Sequence, residues 1–158
     1  MGIELPDVHV LVQDLDGDRV QWWREPAGPD STRVVMELRL PPRRGAVWIA
    51  RHWAADRARE AGVSADVLPD IALLTSELVG NSVVHARTGE VEVRIGVGAG
   101  RVTVKVRDTS PDPPVLRDTG TSTPGNEGLR LVAVIASSWG HQMYPDGRGK
   151  VVWFTLAE

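Results

Sequence analysis

The 158-residue sequence predicts an α+β fold, a two-layer sandwich in which helices pack on one face of a mixed, mainly antiparallel sheet. Two observations predict it. Strand-like segments come in pairs joined by short glycine-containing turns, as in antiparallel hairpins. The helix-like segments are grouped rather than alternating with single strands, which argues against a parallel sheet. The opposite face of the sheet would stay partly solvated. The length suits one domain with its own hydrophobic core.

The first 31 residues predict an N-terminal extension. Apolar residues alternate over 8–12 as in a strand, Asp16-Gly17 is a turn signal, and 20–23 would return as a second strand. A stretch rich in proline and glycine then ends the pattern. We therefore expect a hairpin and linker over 1–31, followed by the main domain over 32–158.

The main domain begins with a strand and two helices. A period of two predicts the strand over 32–40. Apolar residues at spacings of three and four predict a helix over 44–61, which Gly62 would end as a C′ glycine. Ser64 is a favourable N-cap for the second helix, which we expect over 67–85.

Two hairpins and one helix complete the predicted domain. In chain order, we expect strands at 91–97 and 102–107, a short apolar helix at 129–136, and strands at 139–144 and 150–156. A stretch of sixteen mostly polar, proline-rich residues, 109–124, precedes the helix. A loop of this length in a compact domain is often a functional lid.

Composition argues against several classes of protein. The net charge is −3 and the basic residues are scattered, so we expect no nucleic-acid-binding face. The absence of cysteine excludes a disulfide framework and thiolate zinc sites. No segment approaches 18 uninterrupted apolar residues and the N-terminus lacks the pattern of a signal peptide. We therefore expect a cytoplasmic protein without membrane spans.

Three polar side chains lie where chemistry is plausible. Glu77 and Asn81 are one turn apart on the same face of the second helix. An asparagine oxygen suits Mg²⁺, which takes few ligands from protein, and a glutamate can orient or deprotonate a hydroxyl nucleophile. Asp108 ends a strand, where it can accept a hydrogen bond from the amine of adenine. Each also has an ordinary explanation: a solvated glutamate, an asparagine bonded to a loop, and an aspartate that opens a turn.

The entry to the third predicted helix is rich in glycine over 125–129. Unpaired N–H groups at a helix N-terminus attract phosphate, and glycine lets a phosphate approach the backbone. The alternative is an ordinary glycine-rich helix entry.

Taken in order, these segments resemble the motifs of the GHKL ATPases, and most closely those of the bacterial anti-sigma-factor serine kinases. The resemblance covers about residues 32–157. It is carried by Leu74-Thr75-Ser76-Glu77-Leu78-Val79-Gly80-Asn81-Ser82-Val83-Val84-His85-Ala86, Val106-Arg107-Asp108, Gly128-Leu129-Arg130-Leu131-Val132 and Gly149-Lys150-Val151-Val152-Trp153. The first segment resembles the family's N box, roughly S-E-L-x-x-N-A-x-x-H-A.

The resemblance implies a histidine-kinase-like ATPase fold that binds ATP and Mg²⁺. The implied roles are Asn81 as magnesium ligand, Glu77 as catalytic base, Asp108 on the adenine amine, and Gly125, Gly128 and Leu129 at the nucleotide phosphates. The implied activity is phosphorylation of Ser or Thr in an antagonist (anti-anti-sigma) protein, together with binding of a sigma factor. A homodimer is expected by analogy.

Two departures from the family pattern leave a second function open. The glycines that usually follow the second-box aspartate are absent after Asp108. In the third box Asn126 replaces the first glycine, and Glu127 places a negative charge beside the expected phosphates. The alternative is a degenerate, non-catalytic GHKL-type module that binds a regulatory protein without turning over ATP.

Overall fold

The computed structural model describes residues 9–13, 34–85, 89–98, 100–110, 127–144 and 149–158. They form β1 (His9–Gln13), β2 (Val34–Leu40), α1 (Gly45–Glu60), α2 (Leu68–His85), β3 (Val91–Gly98), β4 (Arg101–Asp108), α3 (Glu127–Ile135), β5 (Ser138–Met143) and β6 (Lys150–Ala157). The strands make one sheet in the order β1-β2-β3-β4-β6-β5, and every described pair is antiparallel. The predicted α+β architecture is confirmed.

The predicted elements of the main domain are all present, and their ends differ from expectation by at most two residues. In the N-terminal extension, β1 pairs with β2 and forms one edge of the sheet. The second strand expected at 20–23 lies outside the described residues, and so does the expected lid from residue 111 onward. Among the described residues, no helix combines the length and apolar character needed to cross a membrane.

The end of α1 follows from its glycine. Gly62 has a φ of 89°, which residues with a Cβ adopt only under strain. The N–H of Gly62 donates to Arg59 O at 3.0 Å, and the N–H of Val63 donates to Ala58 O at 3.0 Å. This pair of bonds is a Schellman motif, and it turns the chain so that Val63 is buried. The predicted C′ role of Gly62 is confirmed.

The hydrophobic core lies between the three helices and one face of the sheet. Alternate residues of the central strands form the sheet side of this core: Val91, Val93, Ile95, Val97, Val102, Val104, Val106, Val152, Phe154 and Leu156. On the helix side, α1 contributes the small residues Ala50, Ala54 and Ala58. α2 contributes the larger residues Ile71, Leu74 and Leu78. Full burial of each larger side chain contributes about 1.5–3 kcal/mol. Packing of this kind makes α2 a rigid support for the polar residues it carries.

The opposite face of the sheet is polar but withdrawn from solvent. Glu37, Arg94 and Lys105 are successive cross-strand partners and are only 2%, 6% and 1% exposed. Arg94 Nη2 lies 3.4 Å from Glu37 Oε1. Burial lowers the pKa of Arg94, while the carboxylates of Glu37 and Glu92 act in the opposite direction. The expectation of a partly solvated face is wrong for these residues. The ion pair between Glu37 and Arg94 offsets part of the hydration that they lose.

A tight backbone contact fixes the start of β6. Gly149 has a φ of 138°, and a Cβ added there would collide with the backbone oxygen of Asp108. Only glycine therefore lets the two strands approach at this point, where β4 ends and β6 begins.

Gly149→Ala should destabilise the fold strongly, because it combines a strained φ with a collision against backbone. We expect the free energy of unfolding to fall by about 3 kcal/mol or more in urea denaturation followed by circular dichroism. Gly62→Ala is the matched control, since its φ is 89° but nothing lies within 4 Å of the added Cβ. It should lose only about 1 kcal/mol. Equal losses in the two variants would contradict this account.

Candidate functional site

The candidate site is built on the second half of α2. This helix buries an apolar face against the sheet, and Asn81 and Ser82 lie within that buried face. They are 6% and 3% exposed. Polar side chains buried in this way need compensating partners. The partners of Ser82 lie on the strands below.

Ser82 joins α2 to the end of β4. Its hydroxyl donates to Asp108 Oδ2 at 2.6 Å, within the range of a strong hydrogen bond to a carboxylate. This contact places the candidate adenine-binding carboxylate next to the helix turn that carries the candidate magnesium ligand, Asn81.

The other oxygen of Asp108 has two donors. Lys150 Nζ lies 3.0 Å from Oδ1, and the backbone N–H of Ser110 donates to the same oxygen at 2.9 Å. Asp108 and Lys150 are direct cross-strand partners, and they are 1% and 2% exposed. The sheet thus holds a buried ion pair. Its members lose hydration, and close contact with additional hydrogen bonds offsets that loss.

Within the described residues, the carboxylate of Asp108 accepts three hydrogen bonds. An ionised carboxylate has about four acceptor positions, two on each oxygen. The described residues engage both positions on Oδ1 and one on Oδ2. A carboxylate accepts hydrogen bonds from amino groups, and the exocyclic amine of adenine is such a group. The chemistry of Asp108 therefore suits the adenine end of ATP.

Asn81 has the properties of a metal ligand. Its side chain is buried, and within the described part of the chain no hydrogen bond engages its amide. The amide oxygen is a hard donor of the kind that Mg²⁺ accepts alongside phosphate oxygens and water. The residue present here therefore fits the implied ion.

Glu77 lies one turn before Asn81 and lines a groove between α1 and α2. The groove has a volume of about 490 Å³. Its α1 wall carries Arg51, His52 and Arg59, and its α2 wall carries Ser76 together with Glu77. Arg59 is paired with Asp56 of the same helix at 2.9 Å. Glu77 itself is partly exposed.

The three residues predicted at the phosphates have different positions. Gly125 lies outside the described residues. Gly128 is in the first turn of α3, where a helix N-terminus was expected. Leu129 is 2% exposed and belongs to the hydrophobic core. The contacts of all three with phosphate remain predictions.

Sequence reasoning did not single out Ser82 or Lys150. Ser82 occupies the position where the N-box pattern has alanine, and this difference is the signal that could have identified it. Lys150 is one of only two lysines in the chain and opens an apolar strand. Its pairing with Asp108 depends on the register between β4 and β6, which the sequence does not display.

Comparison with known families agrees with this geometry. The family model described as "Histidine kinase-like ATPase domain" matches residues 40–156, well over half of the chain. The matched range begins at the last residue of β2 and includes Glu77, Asn81, Ser82, Asp108 and Lys150. No curated protein matches the chain.

Loss of one member of the buried ion pair should be far more damaging than loss of an exposed one. We expect Lys150→Met to lower the free energy of unfolding by about 3–5 kcal/mol, because Asp108 is left buried and charged. Arg59→Met removes an exposed pair of similar length, 2.9 Å to Asp56, and should cost no more than about 1 kcal/mol. Adding Asp108→Asn to Lys150→Met should recover part of the loss. Strictly additive effects in denaturant unfolding would show that the two residues are not coupled.

Proposed function

The chain belongs to the histidine kinase-like ATPase domain family, a family of ATP-binding modules, and from this premise we propose that it is a protein serine/threonine kinase. Its substrate would be the antagonist of a sigma factor, and the sigma factor would be its second partner. The observation that carries the proposal is the hydrogen bond from Ser82 to Asp108, which joins the candidate magnesium-binding helix to the candidate adenine-binding carboxylate.

Each residue has a defined task in this proposal. Asp108 would accept a hydrogen bond from the adenine amine, and Asn81 would hold Mg²⁺ through its amide oxygen. When bound, Mg·ATP would supply the γ-phosphoryl group, and its Mg²⁺ would offset the negative charge of the phosphates. Glu77 would orient the hydroxyl of the acceptor side chain and take its proton. Positioning of these groups on α2 and β4 would provide most of the catalysis.

The groove beside Glu77 supports a protein as the acceptor. It is open along α1 and α2, and its α1 wall carries Arg51, His52 and the ion pair between Arg59 and Asp56. Two apolar side chains near it are also exposed, Trp48 by 57% and Leu73 by 39%. A surface with both apolar and charged groups suits the binding of a folded protein segment that brings its hydroxyl to Glu77.

One observation favours the second candidate, a non-catalytic module that binds a regulatory protein. Asp108 is 1% exposed, and its three bonds to Ser82, Ser110 and Lys150 already satisfy most of its acceptor capacity. Because the protein's own groups already bond the carboxylate of Asp108, the fold does not need a bound nucleotide for its stability. The two functions differ in a measurable property, because only the kinase requires Mg·ATP.

Asn81→Ala should abolish the magnesium-dependent part of ATP binding. Calorimetric titration of the purified chain with Mg·ATP and with ATP plus a chelator should show an affinity gain from magnesium in the wild type. We expect the variant to lose about tenfold or more in Mg·ATP affinity, which corresponds to ~1.4 kcal/mol. His85→Ala, an exposed position one turn further along α2, is the control and should bind normally. Unchanged affinity in Asn81→Ala would defeat the assignment of the ligand.

Glu77→Gln should separate nucleotide binding from phosphoryl transfer. The amide keeps the shape of the side chain but cannot take the proton, so Mg·ATP affinity should change little. Transfer of labelled γ-phosphate to a serine or threonine of the antagonist protein should fall by about 10²–10⁴-fold. Ser76→Ala, in the same groove, is the control. Normal ATP binding without any transfer by the wild type would instead support the non-catalytic module.

A further inference from the structure

The face of the sheet away from the helices is buried, although all three described helices pack on the other face. Glu37, Arg94 and Lys105 on this polar face are 2%, 6% and 1% exposed. The neighbouring row contains Thr103 and Thr155, which are 4% and 8% exposed. Side chains stand roughly perpendicular to a sheet, so strands of the same sheet shield the ends of long side chains only in part. The burial of these residues therefore requires a further layer of chain over this face.

The buried rows lie toward one end of the sheet. Three cross-strand rows on this face run through β1. The row at His9, where β1 begins, continues to Arg39 and Arg107, and the side chains of these two arginines are each 38% exposed. The other two rows, toward Gln13, contain the buried residues. The shielded part of the face therefore adjoins the end of β1 and the start of β2 at Val34.

Residues 14–33 leave the sheet at this end, because they join Gln13 to Val34. The other segments outside the described residues are a single turn residue at 99 and four segments that adjoin the opposite end of the sheet: 1–8, 86–88, 111–126 and 145–148. Two neighbouring antiparallel strands can be joined by as few as about two residues. The range 14–33 is far longer than such a connection needs, so it has both the position and the length to cross the buried rows.

The charges of the polar face and of residues 14–33 are complementary. Between β2 and β4 the face has an excess of three positive charges, from Arg39, Arg94, Arg101, Lys105 and Arg107 against Glu37 and Glu92. Residues 14–33 have an excess of two negative charges, from Asp14, Asp16, Asp18, Glu25 and Asp30 against Arg19, Arg24 and Arg33. Opposite charges on two packed surfaces lower the cost of burying both. The segment also contains Trp22-Trp23, and an aromatic ring placed on the sheet would exclude water from the contact.

We infer that residues 14–33 lie across the polar face of the sheet as a second layer, with their carboxylates near the cations of β3 and β4 and at least one ring of Trp22-Trp23 against the strands. This face is then closed to partner proteins, and the helix layer is left as the surface that can bind them. The inference concerns the side of the sheet opposite to the candidate nucleotide site, and it does not depend on the proposed function.

The two lysines of the chain allow a direct test, because Lys105 lies on the polar face and Lys150 on the helix face. Trace acetylation of the full chain, followed by mass spectrometry, measures how fast each amine reacts. In the wild type both should react slowly, since they are 1% and 2% exposed. Replacing residues 14–33 by a short Gly-Asn-Gly-Ser turn should raise the rate at Lys105 by about tenfold or more and leave the rate at Lys150 unchanged.

A milder variant, Trp22→Ala with Trp23→Ala, keeps the chain length and should raise the rate at Lys105 by a smaller factor. Trp48→Ala, at a 57% exposed position on α1, is the matched control and should leave that rate unchanged.

A wild-type Lys105 that reacts as fast as an exposed amine would overturn the inference without any variant. Protection of both lysines in the chain that lacks 14–33 would also overturn it, because another segment would then cover the face. If both lysines react in that chain, it has unfolded and the double tryptophan variant decides. An unchanged rate at Lys105 in the double variant would then contradict the inference.

Discussion

The carboxylate of Asp108 links the three elements on which the rest of the site depends. Ser82 reaches it from α2, Lys150 reaches it from β6, and it stands at the end of β4. Its burial makes these contacts obligatory, because an ionised carboxylate without partners would be strongly unfavourable inside the protein. The same contacts fix the distance between the helix and the strand end. Asn81 and Asp108 are therefore held on a rigid frame before any ligand arrives, as a precise binding site requires.

The sheet carries buried charged side chains on both faces, and their arrangement differs between the two faces. On the face away from the helices, Glu37, Arg94 and Lys105 form a row across neighbouring strands. On the helix face, the ion pair between Asp108 and Lys150 lies among the apolar side chains of the core. An isolated ion pair in an apolar setting contributes little net stability but is sensitive to the loss of either member. The pair lies where α2, β4 and β6 meet, because Asp108 also accepts the hydrogen bond from Ser82.

The two candidate functions depend on the same side chains. They differ in whether those side chains must be available to a nucleotide. A kinase needs the carboxylate of Asp108, the amide of Asn81 and the carboxylate of Glu77 to be available together. A binding module needs only the packed arrangement of α2, β4 and β6. The hydrogen bonds of Asp108 to Ser82 and Lys150 already stabilise that arrangement. Family membership supports an ATP-binding module and does not by itself distinguish transfer from binding.

The sequence alone determined the elements of the main domain, the helical face shared by Glu77 and Asn81, and the place of Asp108 at a strand end. These features are local, since periodicity, turn glycines and caps act over a few residues. The N-box pattern also identified the family before any contact was known. The tertiary structure alone decided that Ser82 and Lys150 contact Asp108. They lie 26 and 42 residues from Asp108 in the chain, and only the packing of α2 and the register of β6 bring them to it. The sequence also could not predict that the charged residues on the sheet face away from the helices are buried. Solvent exposure depends on the whole fold and not on the pattern of one strand.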